Sequence, residues 1–231
     1  MTLDFSFFLT ETYAADLTQG LLVTLELFVG AWSLALMFAL LLACVRALAF
    51  APARLLVATI IEYHRNVPVL VQILIWYFAI PQVLPDDLRI WINRQNSEFL
   101  FSMIALALNT GAFMSEDLRS GIRSIPVAQF EAARSIGLSF IKALQYVILP
   151  QAVRVAIPAL INQTLFLFKN TSLAMAVAVG ELTYRIHEIE NATYRTFEIF
   201  MLGTLAYLVF SFSLMALGAW FSRRYPPAYR A

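Results

Sequence analysis

Charge is what this sequence has least of. Only 13% of its 231 residues are Asp, Glu, Lys or Arg, against 61% hydrophobic ones, where a soluble domain carries about 25% charged residues. Too few polar side chains are present to cover a globular surface, so lipid is the expected solvent. The charges nearly cancel, at a net +1, and the basic residues form no dense cluster; no nucleic-acid partner is expected. Cysteine is almost missing. Cys44, alone in an apolar run, gives neither a disulfide framework nor a thiolate metal site. His64 and His187 lie far apart, with no metal-ligand spacing around either. Neither a Gly-x-Ser-x-Gly nor a phosphate-binding Gly-x-x-x-x-Gly-Lys-Ser/Thr string occurs. No catalytic set is therefore expected here, and ATP, if it powers the protein, is bound by another chain. The stretch 1–20 holds Asp4, Glu11 and Asp16 but no Lys or Arg, so it lacks the basic n-region of a cleaved signal peptide.

What is present is a succession of apolar runs long enough to cross a bilayer. At about 1.5 Å per residue, some twenty residues span the hydrocarbon. Residues 21–45, 55–84, 99–118, 155–180 and 199–221 meet this, with Glu26 read as an interfacial carboxylate near the start of the first. The second run is interrupted by Glu62-Tyr63-His64-Arg65-Asn66-Val67-Pro68. Pro68 disfavours helical geometry at Val67 and removes a donor, so a bent or broken helix is expected there. Stretches 85–98 and 180–198 read as loops. With no internal repeat or linker, residues 1–231 read as one all-α, polytopic membrane domain of about five transmembrane helices.

Five spans put the termini on opposite sides. Ten of the sixteen Lys and Arg residues fall in the connections of one side, including Arg46, Arg119, Arg134 and Arg223. The other side has four (Arg89, Arg94, Arg185, Arg195), and Arg65 and Lys169 lie inside spans. The richer side is expected to be cytoplasmic, which places the N-terminus outside and the C-terminus inside.

Polar groups within spans are the next signal, because a cation at mid-helix costs about 2.5–3.5 kcal/mol unless it faces protein or water. Lys169, followed by Asn170, Thr171 and Ser172, offers one cation and several hydrogen-bonding groups to a cavity, and Asn109 and Thr110 offer the same from the third span. The competing expectation is that these groups pair between helices, for example Lys169 with Glu116. Arg65 beside Glu62 reads as an internal ion pair or a side chain reaching the interface. Gly111, Gly180 and Gly203 are candidates for close helix approach.

The stretch 119–154 stands apart. Phe130, Ala133, Gly137, Ile141 and Leu144 recur at helical spacing, with small residues in the middle and bulky ones at the ends. Pro126 marks a helix start and Pro150 a point a helix does not pass without losing a hydrogen bond. A short helix with such a face is either an ordinary surface helix or a knob for a groove on a soluble partner.

The string itself is more specific. Glu131-Ala132-Ala133, then Gly137, then Val147, Leu149 and Pro150, resembles the signature loop of importer permeases of the ATP-binding cassette class, with Val147 where Ile is usual. Three further stretches resemble the polar amino acid subfamily. The first is Glu62 to Gln72, similar to Glu-x-Phe-Arg-Gly-Thr-Pro-Leu-x-Val-Gln, with His64, Asn66 and Val67 departing from it. The others are Leu106 to Glu116, and Leu167 to Ala174 followed by Glu181-Leu182-Thr183. Details around Asn66-Val67-Pro68, Trp76-Tyr77 and Leu84-Pro85 are most similar to glutamate/aspartate permeases.

The resemblance implies a cytoplasmic coupling helix in which Glu131, Ala132, Ala133, Gly137, Leu149 and Pro150 contact the nucleotide-hydrolysing subunit. It implies a substrate path along Asn109, Thr110, Lys169, Asn170, Thr171 and Ser172. It implies a second membrane subunit, identical or homologous, two ATPase subunits that carry ATP and Mg, and a soluble amino acid receptor outside a bacterial cytoplasmic membrane. This chain itself would bind no cofactor. The alternative is a secondary transporter driven by an ion gradient, which would need mid-span carboxylates and an inverted repeat; neither is evident.

Overall fold

A computed structural model describes Phe5 and residues 11–47 and 50–226. Asp4 of the N-terminal stretch, and Arg230, one of the ten basic residues on the richer side, lie outside the described residues.

The centre of the fold is a contact between two helices, α1 (Glu11–Ala47) and α6 (Ser97–Arg123). On α1, Leu27, Ala31, Ala35 and Ala39 recur every fourth residue and are fully buried, so they form one ridge along the helix. They pack with Ala105, Leu106, Ala107 and Met114 of α6. Lipid gives helices no hydrophobic reason to associate, so small residues that bring backbones together do the work. Gly111 lets the two backbones come close: a β-carbon there would sit 2.7 Å from the Ala35 carbonyl oxygen. From Glu26 to Arg46 α1 rises about 30 Å at 1.5 Å per residue, one hydrocarbon thickness. Glu26 is exposed, as expected of an interfacial carboxylate.

Among the described residues four helical stretches are long and apolar enough to cross a membrane: Thr12–Arg46, Ser97–Arg123, Phe140–Val177 and Thr196–Arg224. A bent pair, α2 (Ala51–Asn66) and the run Val69–Val83 at 109°, makes a fifth crossing if the two helices act as one span. The break falls at Pro68, where the sequence places it. Proline has no N–H to give the carbonyl four residues back, and here that carbonyl belongs to His64. Two side chains replace the lost donor: Gln72 Nε2 at 2.9 Å and Asn109 Nδ2 at 2.6 Å. Gln72 Nε2 also donates to the Val67 carbonyl at 2.8 Å, and His64 Nδ1–H donates to Gln72 Oε1 at 2.7 Å. All three side chains are buried, so a missing partner would be costly.

Three expectations need correction. The stretch 85–98 is not all loop, because it holds the short helix α5 (Asp86–Asn93), with two aspartates in the first turn where the helix dipole favours them. The stretch 180–198 is mostly helix too. α10 (Leu182–Thr193) buries Leu182, Ile186 and Ile189 against α11 (Thr196–Arg224) and the start of α1. Charge count hid this amphipathic spacing. Third, the helix does not end near Pro150. After α7 (Val127–Ser135) the chain re-enters a helix at Phe140 and continues through α8 (Phe140–Ala143), a wide π turn (Leu144–Ile148) and α9 (Leu149–Asn170) into a 3-10 stretch (Thr171–Val177).

The π turn explains how Pro150 is accommodated. Within α-geometry its ring would clash with the carbonyl four residues back. The wide turn, closed by a bond from the Leu149 N–H to the Leu144 carbonyl, ends just before it and relaxes that clash. The same device recurs between α3 (Val69–Leu74) and α4 (Ile80–Val83), where a π turn over Ile75–Ala79 precedes Pro81. Of the glycines expected to admit close helix approach, Gly111 and Gly203 do, but Gly180 meets only the Arg185 side chain at 3.5 Å.

Candidate functional site

Two regions carry the sequence-predicted residues. The first is the turn after α7. Pro126 precedes the helix as its N-cap, as its position suggests. The expected continuous face from Phe130 to Leu144 does not form, because the helix stops at Ser135 and Gly137 takes φ +88°. That is a left-handed conformation glycine adopts at no steric cost. The Leu138 N–H reaches the Ala133 carbonyl at 3.2 Å and the Gly137 N–H reaches the Arg134 carbonyl at 3.0 Å. This crossed pair is a Schellman closure, with glycine at its C′ position. Arg134 Nη1 ties it further to the Leu138 carbonyl at 2.7 Å. Gly137 is thus a helix stop rather than a notch.

Around that stop, Ala133 is buried while Glu131 and Ala132 are exposed. Ile136 is 78% exposed, Ile141 71% and Phe140 60%, and Phe140 stacks edge-on against Phe130 at 5.3 Å. Apolar side chains are thus left bare around a short turn. Leu149 and Pro150 begin α9 beyond the π turn, covalently continuous with this surface.

The second region is a cavity of about 380 Å³ between the end of α9, α10 and α11. Lys169, Ser172, Thr183 and Tyr207 line it. Lys169 is exposed, and its ammonium lies 4.9 Å from the centre of the Phe166 ring. The expected pairing of Lys169 with Glu116 does not occur, because Glu116 is held by Arg46 and Arg119. Beside the cavity, Glu181 is fully buried as the N-cap of α10. It accepts from the Thr183 N–H at 3.0 Å, the Tyr184 N–H at 2.9 Å and the Tyr207 hydroxyl at 3.0 Å. Burial pushes its carboxyl above the ordinary range, and those donors pull in the opposite direction.

The remaining predicted residues divide. Thr171 is buried and its hydroxyl is committed to the Phe168 carbonyl at 2.7 Å. Ser172 donates to the Lys169 carbonyl at 2.8 Å, which leaves its acceptor lone pairs toward the cavity. Asn170 is half-buried at the end of α9. Asn109 and Thr110 are buried in α6, and the Asn109 amide is spent on the His64 carbonyl. The structure therefore brings Lys169 and Ser172 to the cavity and Asn109 to the helix break. Arg65 does pair with Glu62, at 3.8 Å, and its guanidinium lies over the Phe113 ring. Sequence reading missed Tyr207, hidden in an uncharged span. Its signal is a polar tip one helical turn from Gly203, the residue that lets α10 approach.

Comparison with known proteins gives one consistent result. The family described as "Binding-protein-dependent transport system inner membrane component" matches residues 35–226. The chain is 31% identical over 211 residues to the glutamate/aspartate import permease protein GltJ of Escherichia coli strain K12, covering 88% of this chain and 85% of that one. It is 32% identical over 215 residues to the probable glutamine ABC transporter permease protein GlnP of Bacillus subtilis strain 168, covering 92% and 94%. A crystal structure of an amino acid ABC transporter with histidines contains a chain that superposes with a TM-score of 0.85 at 30% identity, covering 97% of this chain and all of that one.

Proposed function

Because the chain belongs to the family of binding-protein-dependent transport system inner membrane components, we propose that it is the membrane-spanning subunit of an ATP-driven importer of polar amino acids, with glutamate or aspartate as cargo. The observation that carries this reading is the short helix stopped at Gly137, with bare apolar and charged side chains around it and rigid continuity into a cavity-lining span. Glu131, Ala132, Ala133 and Gly137 form the docking turn for a cytoplasmic ATPase subunit, and Leu149 and Pro150 pass its motion into α9. The ATPase holds ATP and Mg; this chain holds neither. The arginine-rich connections face the cytoplasm of a bacterium, the N-terminus lies outside and the C-terminus inside.

Cargo passes along the cavity. Lys169 meets the side-chain carboxylate of an acidic amino acid, a charge-assisted contact. Ser172 lines that route beside it, while Asn109, Thr110, Asn170 and Thr171 hold the surrounding helices rather than the cargo. A soluble receptor delivers cargo to the surface formed by α5 and α10, and a second membrane subunit, a copy or a homologue, completes the path. Partner ATP binding and hydrolysis rock the halves between outward and inward openings.

Uptake by the reconstituted complex tests this. Transport should require internal ATP and ignore proton and sodium gradients; the reverse dependence overturns the reading. Lys169→Ala should cut uptake of acidic amino acids roughly tenfold or more while sparing neutral ones, the scale of losing one charged hydrogen bond. Equal kinetics for both classes would remove Lys169 from the route.

A further inference from the structure

A second cavity, of about 320 Å³, opens where α1 ends, α2 begins and α6 ends. Arg46, Arg54, Arg119 and Arg123 line it. Arg46 and Arg119 share Glu116. Among the described residues no carboxylate forms an ion pair with Arg54 or Arg123. Four guanidiniums thus line one cavity, and only two of them share a carboxylate. Arg119 and Arg123 suit their place in the last turns of α6, where the helix dipole favours cations. Arg54 does not. It stands in the first turn of α2, which has no acidic residue there and no side-chain cap. A cation at the positive end of a helix, beside three others, is unfavourable unless an anion joins them.

The neighbouring surface points to the kind of anion. Phe50, Leu55 and Leu56, close to Arg54 in the chain at the start of α2, are 62%, 70% and 62% exposed. Water would penalise such a surface; acyl chains would cover it. We propose that this cavity binds the phosphate head group of an anionic phospholipid, with the phosphate among the guanidiniums and the chains lying over Leu55 and Leu56. Arginines that only set membrane orientation would be scattered along the interface, whereas these meet in one concavity. The proposal needs the chain to span a membrane but not a particular side for the arginines, nor any particular cargo.

Native mass spectrometry of the full chain, purified with its companion subunits and titrated with phosphatidylglycerol or phosphatidylcholine, tests it. Wild-type protein should retain phosphatidylglycerol in preference. Arg54→Gln with Arg123→Gln should weaken that retention roughly tenfold or more, from two lost interfacial cations, leave phosphatidylcholine adducts unchanged, and hold or raise the lipid-free melting temperature because like charges are removed. The double Lys variant should recover most of the binding. Equal retention of the two lipids by wild-type protein overturns the proposal, as does unchanged phosphatidylglycerol retention by a folded Gln variant. Displacement of the lipid by equimolar inorganic phosphate would reassign the cavity to a soluble anion and overturn the lipid assignment. If the Gln variant fails to fold, the two-lipid comparison on wild-type protein still decides.

Discussion

Pro68 and Gly137 each stop a helix, and the two stops are closed by opposite means. At Pro68 the orphaned carbonyls are supplied by side chains from elsewhere, Gln72 and Asn109, both buried. At Gly137 the backbone closes on itself through the Leu138-to-Ala133 and Gly137-to-Arg134 bonds. The surroundings dictate the difference. No water is available within a bundle in lipid, so a bend there needs donors fixed by tertiary packing. A bend in the open can rely on glycine and local bonds, which frees its side chains for a partner. The first stop is therefore integral to the fold and the second is an exposed fitting on it.

That contrast predicts unequal sensitivity. Gln72→Leu should be the most damaging change, because it leaves the Val67 carbonyl and His64 Nδ1 without partners and the His64 carbonyl with one donor fewer. A loss of roughly 2–5 kcal/mol is expected, read as thermal unfolding in detergent. Asn109→Ala should cost less, about 1–3 kcal/mol, since Gln72 still serves His64. A double-mutant cycle between the two should be non-additive, because they share one acceptor; strict additivity would break the paired account. Gly137→Val should destabilise the fold by only about 1–2 kcal/mol, the cost of left-handed backbone for a side chain, yet should abolish ATP-dependent uptake. Gly137→Asn, tolerant of that conformation, should cost less than about 1 kcal/mol and keep most uptake. Wild-type transport by the Val variant would mean that the shape of the turn is not what a partner reads.

Much of this was legible in the residues. Apolar runs gave the spans, and Pro68 within one gave the break, because proline's missing donor is a local fact. The identity of the replacement donors was not legible. Asn109 lies in another helix, so its role depends on where α6 passes, and as a polar residue in an apolar span it read only as a pathway candidate. Gly137 was recognised as significant but misjudged as part of a helix face, because small size and positive φ are both glycine properties and spacing cannot separate them. Pro150 was misread as an end because proline rules describe α-geometry, and a π turn suspends them. The Lys169 pairing failed because Arg46 and Arg119 already occupy Glu116, a convergence of three helix positions.

The wide turn over Leu144–Ile148 has a further bearing. One surplus residue winds a helix on by about 100°, so the turn works as a phase shifter along an otherwise continuous rod. Upstream, the rod shows Phe140 and Ile141 outward; downstream, the added rotation settles which azimuth Lys169 and Ser172 occupy. The bearing between the exposed fitting and the cavity is thus written into five residues that belong to neither.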